Sequence, residues 1–229
     1  MLYGGGALGS LGFGDLMVKG TVAALTFPRT SGVFQSIRFG RVPNTQIFRS
    51  PLDGGMQTAE LTGGQWQATF RIKPLTRAQA QEWIVFLLKL QGMSGRFLGF
   101  DPSNSTPLGS LGTSVPLIDG INQIGASLKT KGWDASTAGL LLAGDAIAFD
   151  TGTTWRERHI ITEDVNSDSS GNAVLRFTHS MRETPIDNDT LITTNASCVM
   201  RLIDDEQAVW DVRTALIFGI EFSGIEVFK

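Results

Sequence analysis

The chain has 229 residues, a formal net charge of −3 at pH 7 and a pI near 5.4. A chain of this length can bury a stable core without disulfides or bound metals. Its net negative charge provides no basic surface for nucleic acid phosphates. The single cysteine, Cys198, excludes an intramolecular disulfide and a cysteine-based zinc cluster. No stretch approaches the roughly 18 apolar residues that span a membrane, so we expect no membrane insertion. The length fits one β-rich domain or two small ones.

The first twenty residues are rich in glycine and predict a flexible or weakly ordered arm, residues 1–20. They lack the positive region of a signal peptide, so we expect synthesis in a cytoplasm. The sequence LGSLG occurs at residues 8–12 and again at 108–112. The repeat is either a coincidence of glycine-rich sequence or a sign of similar close-packed loops at subunit contacts.

Short strands are predicted next, at residues 22–27, 33–39 and 45–48, because prolines and glycines such as Gly40 and Pro43 separate the apolar runs. In residues 65–72 apolar side chains alternate with polar ones, which predicts a half-buried antiparallel strand. A further strand is expected at residues 96–100.

Residues 75–91 form the one strong helix pattern of the chain. Thr76 and Gln79 make a capping box at its start, and Gly92 can close its end in the left-handed conformation. One predicted face is apolar and consists of Ala80, Trp83, Ile84, Leu87 and Leu88. Further apolar side chains flank this face, so we expect the helix to be covered on more than one side, by sheets or by a neighbouring subunit.

The second half of the chain reads as a linker followed by short strands. Residues 101–116 are rich in Ser, Thr, Pro and Gly and predict a linker. A strand, a Gly-Asp turn and a second strand are expected in 140–149, a hairpin in 158–162 and 173–178 across a turn at 166–171, and strands at 191–194 and 197–202. This spacing suggests a small barrel or sandwich. The alternating residues 215–227 have no obvious partner there and could return to the first domain.

Residues with catalytic or metal-binding chemistry do not form a recognisable motif. His159 and His179 could bind a metal only with Cys198 or Asp187, and nothing in the spacing demands it. Residues 164–172 resemble a calcium loop but place glycine and the last ligand wrongly, so a hairpin turn is expected. Carboxylates recur close together in acidic turns, at Asp187 and Asp189 and at Asp204, Asp205 and Glu206. We therefore predict a protein that is not an enzyme, with no catalytic, cofactor-binding or metal-binding residues and no cofactor.

The order of these features resembles that of a known family. A β-rich start precedes the Trp83 helix, which ends at Gly92, and later come, in order, Phe97, Asp101-Pro102, Gly144-Asp145, Gly171-Asn172 before Leu175-Arg176-Phe177, and Met181-Arg182 with Pro185. Over residues 33–228 the chain resembles the distal tail proteins, the minor tail proteins at the tail tip of long-tailed bacteriophages.

The resemblance implies a mainly β fold: a β-sandwich with one packed α-helix, plus an inserted small β-barrel similar to an oligosaccharide-binding fold. Residues 21–105 and 203–229 would form the ring-forming sandwich, and residues 106–202 the insertion. The resemblance also implies a homo-oligomeric ring, a hexamer, that joins the tail tube protein to the hub proteins of the tail tip or baseplate. Its location would be the virion tail tip, after synthesis in the bacterial cytoplasm.

A second hypothesis concerns the residues 106–202 alone. Trp133 and Trp155 could stack on sugar rings, which would make this part of the chain a carbohydrate-binding module that contacts host surface glycans. The two hypotheses are compatible, because a tail-tip ring can carry a peripheral domain.

Overall fold

The computed structural model describes residues 24–28, 33–151, 155–213 and 217–228. In these ranges the chain is mainly β with a single α-helix, and all pairs of named strands are antiparallel. This confirms the predicted fold class and agrees with a sandwich that packs one helix. The predicted N-terminal arm, with the first LGSLG copy, lies outside the described residues. The helix is α1 (Arg77–Leu90), and the strands are β1 (Phe34–Arg49), β2 (Met56–Leu75), β3 (Phe97–Phe100), β4 (Leu117–Ile118), β5 (Ser127–Lys131), β6 (Ala146–Thr151), β7 (Trp155–Ile160), β8 (Ala173–Arg176), β9 (Ser197–Leu202), β10 (Asp211–Arg213) and β11 (Ile217–Glu226).

The first sheet has the strand order β1-β2-β11-β9-β3, with β10 beside β11. One face carries the predicted alternation, because Trp66, Ala68, Phe70 and Ile72 are all buried. Their neighbours on the same face include Phe222 of β11, whose ring stacks on that of Phe70 at 5.2 Å between ring centres. The helix α1 covers this face. The last strand returns to the first sheet, as the alternation in residues 215–227 suggested.

The helix begins and ends close to its predicted bounds. The backbone N–H of Thr76 donates to Gln79 Oε1 at 3.3 Å, and Gly92 takes the left-handed conformation with a φ of 66° after Gln91 at 49°. The buried side chains are Ala80, Trp83, Phe86, Leu87 and Leu90. Leu88, which the sequence placed on the same face as Trp83, lies about 140° around the helix axis from it and is 55% exposed in the single chain.

The strands before the helix are longer than predicted. Residues 33–39 and 45–48 were expected to be separate, but β1 runs through both Gly40 and Pro43 as one strand of 16 residues. The register with β2 shifts between Val42 and Asn44. Pro43 is tolerated at this irregularity because β1 is the edge strand of the sheet, where a missing N–H breaks no ladder.

The second unit has its own core and two small sheets, β4-β5-β8 and β6-β7. The predicted hairpin between residues 158–162 and 173–178 forms in part. The two segments meet at the antiparallel bridge between Ile161 and Phe177, with backbone N–H groups of Thr162 and Thr178 donating to the carbonyls of Arg176 and Ile160, both at 2.9 Å. The named strands pair otherwise, β7 with β6 and β8 with β5. Residues 140–142 contribute one bridge, at Leu141, rather than a strand.

The boundaries of the insertion also differ from those predicted. Residues 197–202, assigned to the insertion at 106–202, form β9 and are hydrogen-bonded between β11 and β3 of the first sheet. The predicted linker at 101–116 is held against the second unit, because the buried Asp145 accepts the backbone N–H groups of Leu108 at 2.8 Å and Gly109 at 3.2 Å. A side chain on Gly109 would collide with the carbonyl of Leu140, so this LGSLG copy does form a close-packed loop.

Candidate assembly interface

Beyond the register shift, β1 and β2 continue as a two-stranded ribbon, defined here as residues 44–61. Its six residue pairs run from Asn44 opposite Leu61 to Arg49 opposite Met56. The turn is closed by the Ser50 N–H, which donates to the carbonyl of Gly55 at 2.8 Å. Every residue of the ribbon except Ser50 is exposed, so the ribbon projects from the body of the sheet.

The ribbon exposes large apolar side chains on both of its faces. Ile47, Phe48 and Met56 are 62%, 63% and 63% exposed. Residues directly opposite in an antiparallel pair share a face, so one face, the Ile47 face, consists of Thr45, Ile47, Arg49, Met56, Thr58 and Glu60. The other, the Phe48 face, consists of Asn44, Gln46, Phe48, Gln57, Ala59 and Leu61. An isolated two-stranded ribbon is at best marginally stable in water, and exposed apolar patches mark interaction sites.

The outer edge of β1 continues this surface along the first sheet. β1 ends the strand order, and no other strand of the described residues pairs with its outer edge. A long edge of unpaired N–H and C=O groups is a template for another chain. The edge and the ribbon together therefore form the candidate assembly interface.

An ion pair with a buried carboxylate and a partly exposed cation lies beside the base of the ribbon. Arg182 of the second unit pairs with Glu226 of β11 at 3.1 Å, and Glu226 accepts the backbone N–H of Trp66 at 3.1 Å. The Arg182 guanidinium also donates to the carbonyl of Gly64 and lies 4.1 Å from the ring centre of Phe228. These contacts hold the second unit against the start of the ribbon.

A second buried cation reinforces the same junction. Arg158 lies over the rings of Phe39 and Trp66, at 4.8 Å and 4.7 Å from their centres, and its Nε donates to the carbonyl of Ala196 at 2.9 Å. Trp66 in turn donates from Nε1 to the carbonyl of Arg158 at 2.9 Å. Burial lowers the pKa of Arg158 from its ordinary value. The first sheet and the second unit thus meet in a packed polar junction.

The two histidines meet in the same junction, with ring centres 4.2 Å apart. His159 Nε2 lies 3.3 Å from Glu157 Oε2. Burial would raise the pKa of Glu157, but the adjacent His159 ring and hydrogen bonds from the backbone N–H groups of Arg182 and Glu183 hold it below its ordinary value. Burial, followed by the charges of His159, Arg41 and Arg182, lowers the pKa of His179 to about 3.

The other residues considered for metal binding have local partners. Cys198 is fully buried on β9, and burial raises the pKa of its thiol well above the ordinary value. Asp187 accepts the backbone N–H of Gly120 at 2.7 Å. Within the described ranges, no group of three or more His, Cys, Asp or Glu side chains could hold a metal ion.

Two further acidic residues, Asp168 and Asp205, accept backbone N–H groups. Asp168 accepts the backbone N–H groups of Ser170 and Asn172 at 2.7 Å and 2.9 Å, which makes residues 164–172 a turn, as expected. Hydrogen bonds from the same N–H groups, the Asn172 one foremost, lower the pKa of Asp168. Asp205 accepts the backbone N–H of Met93 at 2.7 Å and so ties the end of the helix segment to the chain after β9.

The two tryptophans of the carbohydrate hypothesis differ in position. Trp133 is buried in the core of the second unit and donates from Nε1 to Thr130 Oγ1 at 2.8 Å, so its ring offers no open face for a sugar. Trp155 is half-buried at the start of β7.

The sequence did not predict the ribbon, since Gly40 and Pro43 were interpreted as breaks between strands. A signal was present: polar and apolar residues mix without a single buried face from residue 44 to 61, unlike the clean alternation of 65–72. Comparison of the chain with protein-family models and with curated proteins gives no match. In the part of the chain that the structure describes, no helix is long and apolar enough to cross a membrane.

Proposed function

We propose that this chain is a structural virion protein: the distal tail ring that joins the end of a phage tail tube to the tail-tip hub or baseplate. The observation that carries the proposal is the exposed ribbon, which has apolar side chains on both faces and continues an edge of β1 that no other described strand pairs with. An exposed apolar surface next to a strand edge lowers solubility and marks a site of interaction with other molecules. It suits a protein whose work is to bind other subunits.

The two faces of the ribbon support a subunit with more than one neighbour. A ribbon laid on a single surface would cover one face and leave the other in water. A ring subunit at the end of a tail contacts its neighbours in the ring as well as the proteins above and below. The proposed partners are therefore further copies of this chain, the tail tube protein and the hub proteins, and the proposed location is the virion tail tip.

The phage assignment comes from the resemblance of the sequence, and the order of elements supports it. One helix lies between β2 and β3, a separate small β unit follows β3, and the last strands return to the first sheet. That is the arrangement which the resemblance implies. By the same resemblance the ring is a hexamer, and the chain is not an enzyme.

The experiment that tests this function is the solution mass of the purified chain, with negative-stain images of the same sample. The proposal predicts a closed ring with a central opening as wide as a tail tube. A chain that stays monomeric over the full accessible concentration range would contradict it. The carbohydrate hypothesis would then be tested on Trp155 with Trp155→Ala and a glycan array.

A further inference from the structure

We propose that residues 179–183, called the strap here, form an acid-sensitive tie between the second unit and the first sheet. The strap follows β8 in the second unit, yet its Arg182 reaches two strands of the first sheet: β2 at the carbonyl of Gly64 and β11 at Glu226. The inference goes beyond the proposed function, because it concerns how a single chain responds to pH whether or not it forms a ring.

A buried carboxylate lies on each side of the strap. On the side of the second unit, Glu157 accepts the backbone N–H groups of Arg182 at 3.1 Å and Glu183 at 2.9 Å. On the side of the first sheet, Glu226 pairs with the Arg182 guanidinium at 3.1 Å. The side chains of Glu157 and Glu226 are only 7% and 2% exposed. Protonation of either carboxylate weakens its hold on the strap, because a hydrogen bond to a charged acceptor is about twice as strong as one to a neutral acceptor.

The strap also places a histidine ring in the junction. The Nδ1 atom of His179 lies 3.3 Å from the carbonyl of Ser180. Its Nε2 atom is buried, and among the described residues nothing forms a hydrogen bond with it. The ring centre lies 4.2 Å from that of His159 and 6.4 Å from that of Trp66. A second proton on this ring would therefore be placed in a buried position without an acceptor.

The charges that act on the His179 ring are positive. Arg41 of β1, Arg182 of the strap and a protonated His159 of β7 each disfavour a proton on it. The carboxylate of Glu157 lies 3.3 Å from Nε2 of His159, the neighbouring ring. A protonated His179 is thus repelled by cations on three elements, and this repulsion falls when the strap moves away from the first sheet.

Proton linkage gives the direction of the effect. Burial, followed by the charges of His159, Arg41 and Arg182, lowers the pKa of His179 from 6.5 to about 3 while the strap is in place. A detached strap exposes this ring to water, so between pH 6.5 and pH 3 the detached form binds more protons and acid favours it. Glu157 acts in the same direction, because its pKa is below the ordinary value in the closed junction despite its burial.

The contacts outside the strap do not depend on these protons. Each unit has its own apolar core. Arg158, the other buried cation of the junction, contacts two aromatic rings and a backbone carbonyl, which do not titrate. Within the strap, the N–H of Met181 donates to the carbonyl of Gly125 at 2.8 Å. Acid should therefore release Arg182 and Glu183 while Met181 and both cores stay in place.

The strap determines how firmly the base of the ribbon is held. The Arg182 guanidinium donates to the carbonyl of Gly64, which lies three residues along β2 from Leu61 at the end of the ribbon. Detachment of the strap removes this donor and the cation that pairs with Glu226. The direction of the ribbon relative to the second unit is then less fixed in acid than at neutral pH.

Amide hydrogen exchange at single-residue resolution tests the strap at pH 7 and pH 4.5, after correction for the intrinsic pH dependence of exchange. We expect the protection factors of the Arg182 and Glu183 N–H groups to fall about tenfold at pH 4.5. A fully buried His179 would contribute up to about tenfold per pH unit below 6.5, and this ring is half-buried. Met181 should keep its protection, as should Ala148, whose N–H donates to the carbonyl of Ile192 at 2.8 Å in the second unit.

Three variants identify the groups responsible. His179→Asn does not titrate and should keep Arg182 and Glu183 protected at pH 4.5 better than the wild type does. Glu157→Gln carries no charge and should lower their protection at pH 7 already. The matched control is Asp168→Asn, because Asp168 also accepts two backbone N–H groups, but in the turn of residues 164–172. This control should behave like the wild type at both pH values, and circular dichroism checks that each variant is folded.

The outcomes decide the proposal. A loss of protection that is confined to Arg182 and Glu183 and is smaller in His179→Asn supports it. Equal protection of these N–H groups at the two pH values refutes it, and so does a loss that His179→Asn leaves unchanged. A loss that Met181 and Ala148 share equally also refutes it, because acid would then unfold the second unit as a whole. None of these results depends on the oligomeric state, so the ring proposal is judged separately by the solution mass.

Discussion

At the residue scale, the pair formed by Arg182 and Glu226 carries the most consequence. Glu226 is 2% exposed and lies where the second unit meets the first sheet. A buried carboxylate is tolerated because a guanidinium and a backbone N–H satisfy it. The pair therefore acts less as a source of stability than as a device that fixes one orientation of the two units.

Removal of one partner should be costly. Arg182→Gln leaves the Glu226 charge buried without its cation, and we expect the free energy of unfolding to fall by about 3 kcal/mol. The matched control is Arg71→Gln, which breaks the exposed pair of Arg71 with Glu221 at 2.8 Å and should cost less than about 1 kcal/mol. Urea unfolding measures both. Equal small losses would show that the buried pair does not fix the junction.

The histidine contact predicts a pH dependence of stability. The pKa of His179 is lowered from 6.5 to about 3, so the unfolded chain takes up this proton well before the folded one. The stability contribution is present above pH 6.5 and is lost as the pH falls toward 3. Because the His179 imidazole is only half-buried, we expect the free energy of unfolding to change by less than about 1 kcal/mol per pH unit.

The variant His179→Asn isolates this contribution. Asn tolerates the positive φ of 49° at this position and does not titrate. Urea unfolding between pH 7 and pH 5, above the range in which most carboxylates are protonated, should show a flatter pH dependence for the variant. If the free energy of unfolding depends on pH equally in the variant and the wild type, a group other than His179 is responsible.

At the element scale, two neighbouring residues of α1 have different roles: one packs in the core, and the other lies on the exposed face that we expect to contact another subunit. Leu87 is fully buried against the first sheet, and Leu88 is more than half exposed. Leu87→Ala should lower the free energy of unfolding by about 2 to 5 kcal/mol, because it leaves a cavity. Leu88→Ala should change stability by less than about 1 kcal/mol and weaken association instead. Thermal unfolding and sedimentation of the two variants measure this difference, and a large stability loss in Leu88→Ala would contradict it.

The helix and the strand of residues 65–72 were predictable because their signals are local. Thr76, Gln79 and Gly92 set the ends of the helix within a few residues of themselves. The ribbon was not predictable in this way, since Pro43 and Gly40 break central strands but are tolerated at an edge. Whether a strand is an edge depends on the whole sheet.

The linker error has the same origin. Residues 101–116 contain few apolar side chains, which is typical of a linker, yet the carboxylate of Asp145 accepts the backbone N–H of Leu108, 37 residues away in the sequence. Nothing near Leu108 in the sequence indicates this partner. Likewise, the sequence did not bring Arg158, Arg182 and the histidines into one junction, because that junction is made by contacts between distant segments.

At the scale of the whole molecule, the first sheet and the second unit are held together, and the ribbon projects beyond them. The junction of Arg158, Arg182 and Glu226 ties the second unit to the first sheet at the base of the ribbon. The ribbon beyond it is exposed on both faces. A rigid base gives the ribbon a defined direction, which a contact with a neighbouring subunit requires.

The most direct test of this account is the solution mass of the wild type beside a variant in which Asn-Gly replaces residues 45–60, between the paired residues Asn44 and Leu61. A two-residue turn of this kind closes a hairpin, and the ribbon adds no buried side chain to the core, so the variant should fold with an unfolding temperature close to that of the wild type. We predict a ring for the wild type and a folded monomer for the variant. A variant that assembles like the wild type, or a wild type that is itself monomeric, would contradict the claim that the ribbon is the assembly element.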